Sequence, residues 1–373
     1  MYTVLVRIFC PDCQAQGSLT PSHWRCECGG AWEPAAADRF EPERIDPSQS
    51  SIWRYAQMLD LDLSRGPVSL GAGWTPLLWA NCQGRPVYLK AEYFAPTGSF
   101  KDRGTEVMIS ILAAQGATHV VEDSSGNAGA SVAAYAARAG IQADIFVPAH
   151  AAPAKQKQIA VYGAQVRAIA GPRQNATIAA HAVVAQGLVL ASHAYHPGFV
   201  LGQQTEAWEI WEQLGRRTPD WIVLPAGQGV HLLGLWLGFR RLLAAGLISR
   251  LPRLVGVQAS LMAPLCRAFD AGLDHVPAVQ ATLPSVAEGL AIAEPVRGRR
   301  ILQALRETGG FAVMVDEGSI LAAQEKLARQ GFYVEPTSAT ALAGLPAILA
   351  RAAPDDTIVM VLTGSGLKGS PAL

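Results

Sequence analysis

The chain has 373 residues, half of them hydrophobic and 16% charged, and its 30 Lys+Arg balance 30 Asp+Glu for a formal net charge of zero. This excludes a disordered chain and supplies apolar material for about two domains. The balanced charge argues against a nucleic-acid or membrane-surface partner and favours a small-molecule substrate.

The opening, MYTVLVRIFCPDC, has no basic stretch ahead of an apolar one, and no apolar run reaches membrane-spanning length. No signal peptide is expected, and the compartment is read as cytoplasmic. Of the six cysteines, four fall early: CPDC (Cys10, Cys13) is followed after twelve residues by CEC (Cys26, Cys28) and Gly29-Gly30. Four thiolates can surround Zn²⁺ tetrahedrally, and Gly29 permits a tight knuckle. The CxC pair is tighter than the usual CxxC, and a metal-free or redox-sensitive remnant is the other reading. Residues 1–35 are therefore expected to form a zinc-ribbon-like head with a structural role. Cys82 and Cys266 read as reduced, partly buried small apolar residues. Residues 34–50 read as a linker rich in proline and charge, with a helix around SIWRYAQML.

From residue 86 onward strands and helices alternate. PVYLKAEY is a strand, and SFKDRGTEVMISILAAQG a helix with Ser99 as N-cap. HVVEDSS is a strand ending in a turn, and NAGASVAAYAARAG a helix stopped by Gly140. QADIFVP, APAKQKQIAVYGA, QVRAIA and QNATIAAHAVVAQG continue the pattern. A second run begins near residue 203 with TEAWEIWEQLG, DWIVLPAGQG, VHLLGLWLGFRRLLAAG and RLVGVQAS, and TIVMVLTGSG is a late strand. This alternation predicts parallel α/β sheets. Whether Trp208, Trp211, Trp221 and Trp236 are core or interface is open at this level.

Ligands of open α/β sheets bind at the carboxyl ends of strands, and three loops there have unusual composition. DSSGNAG (123–129) places hydroxyls, an amide and two glycines at a helix N-terminus, which suits a carboxylate or phosphate; an ordinary N-cap by Ser125 or Asn127 is the alternative. PAGQGVHLLG (225–234) opens a helix with Gly227 and Gly229, which let backbone approach a phosphate. Its G-x-G-x4-G spacing suits one phosphate better than a dinucleotide. TGSGLK (363–368) sets Thr363 and Ser365 between glycines. Lys101, in PTGSFKDRG, lies near another helix N-terminus. A lysine for a Schiff base, a phosphate loop, an anion loop and a ring-nitrogen partner together match the needs of pyridoxal phosphate.

The motifs resemble those of the fold-type II pyridoxal-phosphate enzymes, the group of threonine synthase, threonine dehydratase, cysteine synthase and the tryptophan synthase β-subunit, and are closest to threonine synthases. PTGSFKDRG looks like the Schiff-base motif, SSGN (124–127) the carboxylate loop and PAGQG the phosphate loop. SVAEGLAIAEP (285–295), VEPTSA (334–339) and LTGSGLK (362–368) match in order. The resemblance spans about residues 50 to 370. It implies two three-layer α/β/α domains with mostly parallel sheets, plus the cysteine head. The large, cofactor-binding domain is expected over 36–104 and 202–373, and the small domain, with the carboxylate loop, over 105–201. Lys101 then holds the cofactor and serves as base for the α-proton. Asn127 bonds the ring hydroxyl. Ser124, Ser125 and Gly126 hold the substrate carboxylate. Gly227, Gln228, Gly229 and Val230 donate backbone N–H groups to the phosphate. Thr363 partners the pyridine nitrogen, with Ser365 second. Glu288 and Glu335 are either groups near the ring or ordinary loop carboxylates. A homodimer is expected.

Two departures bear on substrate. Val230 stands where the phosphate loop usually has another glycine, and a β-branched residue does not readily take φ > 0. In AYHPGFVLGQQT (194–205), Ala194 and Phe199 replace a serine and an arginine that grip the phosphate of O-phosphohomoserine. A charge-assisted hydrogen bond contributes roughly 1.5–3 kcal/mol, and Arg103, His193 or His196 are the residues that could replace it. The leading reading is a threonine synthase-like lyase acting at the β or γ carbon of an amino acid. The second is a dehydratase or ammonia-lyase acting on unphosphorylated threonine, serine or a relative. The third is a non-catalytic homologue that binds the cofactor.

Overall fold

A computed structural model of the chain describes residues 6–35, 40–63, 66–151, 153–280 and 283–369. Residues 36–39 of the stretch read as a linker, and the first five of the cysteine head, lie outside the described residues. In chain order, β1 (Arg7–Phe9), β2 (Gln16–Ser18) and β3 (Glu33–Pro34) make a small antiparallel sheet, ordered β2-β1-β3. A 3₁₀ turn (Ile52–Tyr55) and the short α1 (Ala56–Leu59) stand where one longer helix was expected. β4 (Leu77–Cys82) and β5 (Arg85–Lys90) form a hairpin whose two turn residues, Gln83 and Gly84, have φ of 57° and 79°, the backbone of a type I′ turn. The alternating run follows as α2 (Lys101–Ala114), β6 (His119–Glu122), α3 (Asn127–Ala139), β7 (Gln142–Pro148), α4 (Pro153–Val161), β8 (Gln165–Ile169), α5 (Arg173–Val184) and β9 (Val189–Leu190). It continues as α6 (Pro197–Gln213), β10 (Trp221–Pro225), α7 (Val230–Ala244), β11 (Arg253–Ala259), α8 (Pro264–Asp270), α9 (Gly298–Glu307), β12 (Phe311–Val315), α10 (Glu317–Arg329), α11 (Pro336–Ala343), α12 (Leu345–Leu349) and β13 (Ile358–Val361). Among the described residues no helix is long and apolar enough to cross a membrane.

The chain divides into two compact units, Met1–Gly73 with Ala95–Gly202, and Trp74–Phe94 with Gln203–Leu373. The first holds a four-stranded parallel sheet, ordered β8-β7-β6-β9. Val121 and Phe146 face α5 and cluster with its Ala176 and Ala180. Side chains alternate along a strand, so Ile145 points the other way, where a Cβ on Gly129 of α3 would lie 2.9 Å from it. Helices thus cover both faces. The described part of residues 40–73 packs with this unit because Glu106 of α2 gathers it. The buried carboxylate accepts from Trp53 Nε1 (2.5 Å), Ser69 Oγ (2.6 Å), Tyr135 OH (2.8 Å) and the backbone N of Leu70 (3.2 Å) and Ala72 (3.1 Å). Burial pushes the Glu106 carboxyl up, and these donors offset part of that.

The second unit holds six strands ordered β12-β11-β10-β13-β5-β4, all parallel except β4 against β5. One face carries Val223, Val255, Val257 and Met360 against Ile320 and Leu327 of α10 and Leu342 of α11. On the other, Gly256 leaves room for Leu232 of α7 and Leu265 of α8. Trp208, Trp211, Trp221 and Trp236 are all buried within the chain and belong to its core. Two parallel α/β units with a cysteine head match the fold expected from the motifs. The hairpin strand β4 and the elements from α8 to α12 were not among the elements read from the sequence.

Candidate active site

In the first unit, Lys101 is placed by a locked turn. Gly98 takes φ +82°, and its N–H closes the turn onto Ala95 O at 2.7 Å. The helix begins at Lys101, not at Ser99, whose buried hydroxyl has no hydrogen-bond partner among the described residues. Asp102 holds the turn instead. Its fully buried carboxylate accepts from Thr97 N, Thr97 Oγ1 and Ser131 Oγ of α3, each at 2.6 Å. A carboxylate in the first turn also suits the helix dipole. Lys101 Nζ lies 4.6 Å from the Phe100 ring centroid and 5.6 Å from that of Phe199.

The loop expected to bind a carboxylate joins β6 to α3. Gly126 is the N-cap and no side chain caps the helix, so neither Ser125 nor Asn127 serves as one. Ser124 is buried, and Ser125, Gly126 and Asn127 are half-buried. The loop folds tightly over the first turn of α3: a Cβ on Gly129 would stand 2.0 Å from Ser124 O. Thr177 Oγ1 donates to Asp123 at 2.6 Å.

Beneath this loop is a pair of which sequence reading missed one half. Glu122, the last residue of β6, bonds through Oε1 to His193 Nδ1 at 2.6 Å, and both are buried. Glu122 Oε2 has no partner among the described residues. Burial drives the Glu122 carboxyl well above its ordinary range; Asp123 adds to this, while Lys101 and Arg173 oppose it. Burial also drives His193 well below its own, helped by Lys101 and Arg173. Both shifts favour the neutral form of each group. The signal in the sequence was a carboxylate closing the apolar strand HVVE. Phe199, at the start of α6, is fully buried, with its ring 6.0 Å from that of His193. It lies against Gly104 of α2, where a Cβ would come within 2.6 Å of the ring. Ala194, His196 and Arg103 are buried as well.

In the second unit, β10 leads into the glycine loop. Gly229 takes φ +72° as N-cap, and Val230 is the first residue of α7. The left-handed position thus falls on glycine, and the β-branched valine needs only a helical conformation. A Cβ on Gly229 would meet Ile301 at 2.1 Å, and one on Gly227 would meet Gly289 O at 2.6 Å. Gln228 Oε1 accepts from Val296 N at 3.1 Å. The first amides of a helix lack intrahelical acceptors, so the start of α7 can offer N–H donors to an anion. Thr363 follows β13. Its N–H donates to Ser338 Oγ at 2.8 Å, while its buried Oγ1 has no partner among the described residues. Ser365 pairs with Val334, and its Oγ accepts from Leu367 N at 3.2 Å. Glu335 donates its N–H to Gly364 O at 3.0 Å, and Gly289 N donates to Thr337 Oγ1 at 3.2 Å. This unit therefore links the 227–230, 288–290, 335–338 and 363–365 segments. Glu288 is exposed and Glu335 buried.

The four head cysteines bring their sulfurs within 4.8 Å of one another. Cys10 and Cys28 are 3.5 Å apart, and Cys13 and Cys26 3.6 Å. Tetrahedral Zn–S bonds of about 2.3 Å imply sulfur separations of about 3.8 Å. Gly29 takes φ +91°, the expected knuckle. Trp24 lies against His181 of α5, with ring centroids 4.8 Å apart and planes tilted by 39°, and meets Tyr195 edge-on at 5.1 Å.

A family profile described as pyridoxal-phosphate dependent enzyme matches residues 68–364. Threonine synthase of Methanocaldococcus jannaschii is 32% identical over 97% of this chain and 93% of its own. Threonine synthase of Synechocystis sp. is 35% identical over 86% of this chain and 85% of its own. Among solved structures, the T.th. threonine deaminase aligns with a TM-score of 0.68 at 28% identity, covering 80% of this chain and 94% of that one.

Proposed function

We propose a reaction on one premise: this chain belongs to the pyridoxal-phosphate-dependent enzyme family. It is a threonine synthase-like lyase. The proposed reaction is elimination at Cβ of an amino acid whose side chain carries a free hydroxyl, of the serine or threonine class. The observation that carries it is the wall beside Lys101. Phe199 stands 5.6 Å from the amine, and beside it burial favours the neutral forms of Glu122 and His193. A phosphate dianion wants a cation or several donors, and an apolar ring beside a buried, hydrogen-bonded pair suits an uncharged side chain.

The residues present fit the cofactor. Thr363 Oγ1 is a buried hydroxyl lacking a partner among the described residues, which suits a ring nitrogen. Gly229 turns the chain so that the amides of residues 227–230 open α7 for a phosphate. Bound pyridoxal phosphate supplies an electron sink for the charge left at Cα when its proton departs. Lys101 Nζ would hold the cofactor and would act as the base for that proton. Asn127 bonds the ring oxygen, and Ser124, Ser125 and Gly126 hold the substrate carboxylate. A hydroxyl partner such as Thr363, or Ser365 after it, does not force protonation of the ring nitrogen, which favours elimination and replacement over transamination.

A second reading, threonine formation from O-phosphohomoserine, is supported by the threonine synthases similar over most of the chain. The test is to load the protein with cofactor, verified by visible absorbance, and assay both. Keto acid and ammonia from L-serine or L-threonine support the proposal. Phosphate release from O-phospho-L-homoserine with threonine as co-product overturns it. Lys101→Ala abolishes either activity. The head is proposed to hold one structural Zn²⁺ on Cys10, Cys13, Cys26 and Cys28, and the chain to act as a cytoplasmic homodimer.

A further inference from the structure

We propose that His193 is the acid that protonates the departing hydroxyl, and that Glu122 supplies the replacement proton through the imidazole ring. The inference rests on the hydroxy amino acid reading above and adds a catalytic role that reading did not contain.

Placement is the first argument. Glu122 ends β6, at the carboxyl end of a parallel sheet where ligands bind, two residues before Ser124. Its bond to His193 Nδ1 at 2.6 Å leaves Nε2 with no hydrogen bond among the described residues. Phe199 links this pair to the base: its ring lies 5.6 Å from Lys101 Nζ and 6.0 Å from the His193 ring. The charge of Lys101 is felt by both Glu122 and His193. Glu122 is fully buried, and its Oε2 has no partner among the described residues. A carboxyl desolvated in this way keeps its proton. It then donates to Nδ1 and fixes the tautomer with hydrogen on Nε2. Lys101 and Arg173 oppose a charged imidazole but favour a charged carboxyl, Asp123 opposes one, and burial, the largest influence on both groups, favours the neutral form of each.

The step balances. Lys101 Nζ takes the Cα proton, and the C–H electron pair becomes the second Cα–Cβ bond. The Cβ–O pair leaves with the oxygen. Nε2–H gives its proton to that oxygen, releasing water, while the Glu122 proton passes to Nδ1. The imidazole ends neutral in its other tautomer. One positive charge has appeared on Lys101 and one negative charge on Glu122, and these attract. Proton return from Lys101 to the pair restores the start.

The experiment compares L-serine with β-chloro-L-alanine in the cofactor-loaded protein, because chloride leaves without an acid. His193→Gln and Glu122→Gln are expected to lose serine elimination by about 100-fold or more in kcat while keeping chloroalanine elimination near the wild-type rate. Equal losses on both substrates, as a merely structural role gives, overturn the relay. Wild-type turnover of chloroalanine but of no hydroxy amino acid overturns the substrate reading and the relay with it. A readout free of activity is the ¹⁵N resonance of the His193 ring in the full-length, cofactor-free protein. Hydrogen on Nε2 supports the relay, and hydrogen on Nδ1 beside an ionised Glu122 overturns it.

Discussion

Asp102 and Thr97 are joined twice, the carboxylate accepting from both the backbone N–H and the hydroxyl of the threonine at 2.6 Å. With Ser131 as the third donor, this fixes the turn that aims Lys101. Asp102→Asn turns one acceptor into a donor facing donors. It is expected to cost roughly 1.5–3 kcal/mol of stability and to weaken retention of the cofactor. Urea unfolding and the visible absorbance of dialysed protein measure the two. An unchanged unfolding midpoint and full retention would show that the turn holds without the carboxylate.

Gly104 is where α2 leaves space for Phe199. An added Cβ would lie within 2.6 Å of the ring, and overpacking of this kind costs about 1–3 kcal/mol. Gly104→Ala is therefore expected to displace Phe199 and raise KM for the amino acid more than it lowers the melting temperature of the apoprotein. Paired kinetics and thermal melts separate the two effects. A large stability loss with unchanged KM would mean that Phe199 does not touch the substrate.

The cysteine head offers a metal test. Purified protein is expected to carry one zinc per chain, measured by elemental analysis. A strong chelator, or Cys13→Ser, is expected to remove it. A ligand present at a thousand times its Kd contributes about 4 kcal/mol, so removal should lower the melting temperature and shift the emission of Trp24. Stoichiometric zinc that leaves without either change would make the head an appendage.

His181, whose ring lies against that of Trp24, gives a pH dependence. Burial lowers it from the ordinary value of 6.5, with Arg25 adding and Asp123 opposing. The folded state therefore binds this proton less tightly than the unfolded state does. Its contribution to stability is complete above pH 6.5 and is lost as pH falls from there through the folded value. The Trp24 environment is expected to loosen over that window, and His181→Gln to flatten the change. A midpoint above 6.5 would reverse the sign and refute the assignment.

The parallel α/β pattern could be read from the sequence because buried strands such as WIVLP and ADIFVP are short apolar runs bounded by turn residues, and the glycine loops stand between them and helices. Lys101 drew attention through its motif, PTGSFKDRG, and the structure starts α2 at that residue. What stayed hidden was side-chain partnership over long separations. Ser99 looked like a cap, yet Asp102 reaches back and holds the turn. Glu122 reads as one polar residue at a strand end until His193, 71 positions away, closes on it. β4 escaped because LLWANC, an edge strand, alternates only partly, and its pairing is set by the Gln83-Gly84 turn. Val230 looked like a departure until Gly229 was seen to take the left-handed position itself.

The order of strands in the six-stranded sheet has a consequence for synthesis. β5 lies between β4 and β13, and β13 is made after every other described strand. The first unit can close once Gly202 has emerged. The β4–β5 hairpin is made before most of that unit, yet it waits with Val87 and Leu89 uncovered and one edge open until β13 has been made. Pairings so distant in sequence form slowly and leave such edges open to aggregation. The nascent hairpin is thus the segment for which chaperone protection matters most, and a chain truncated before β13 is expected to precipitate through it.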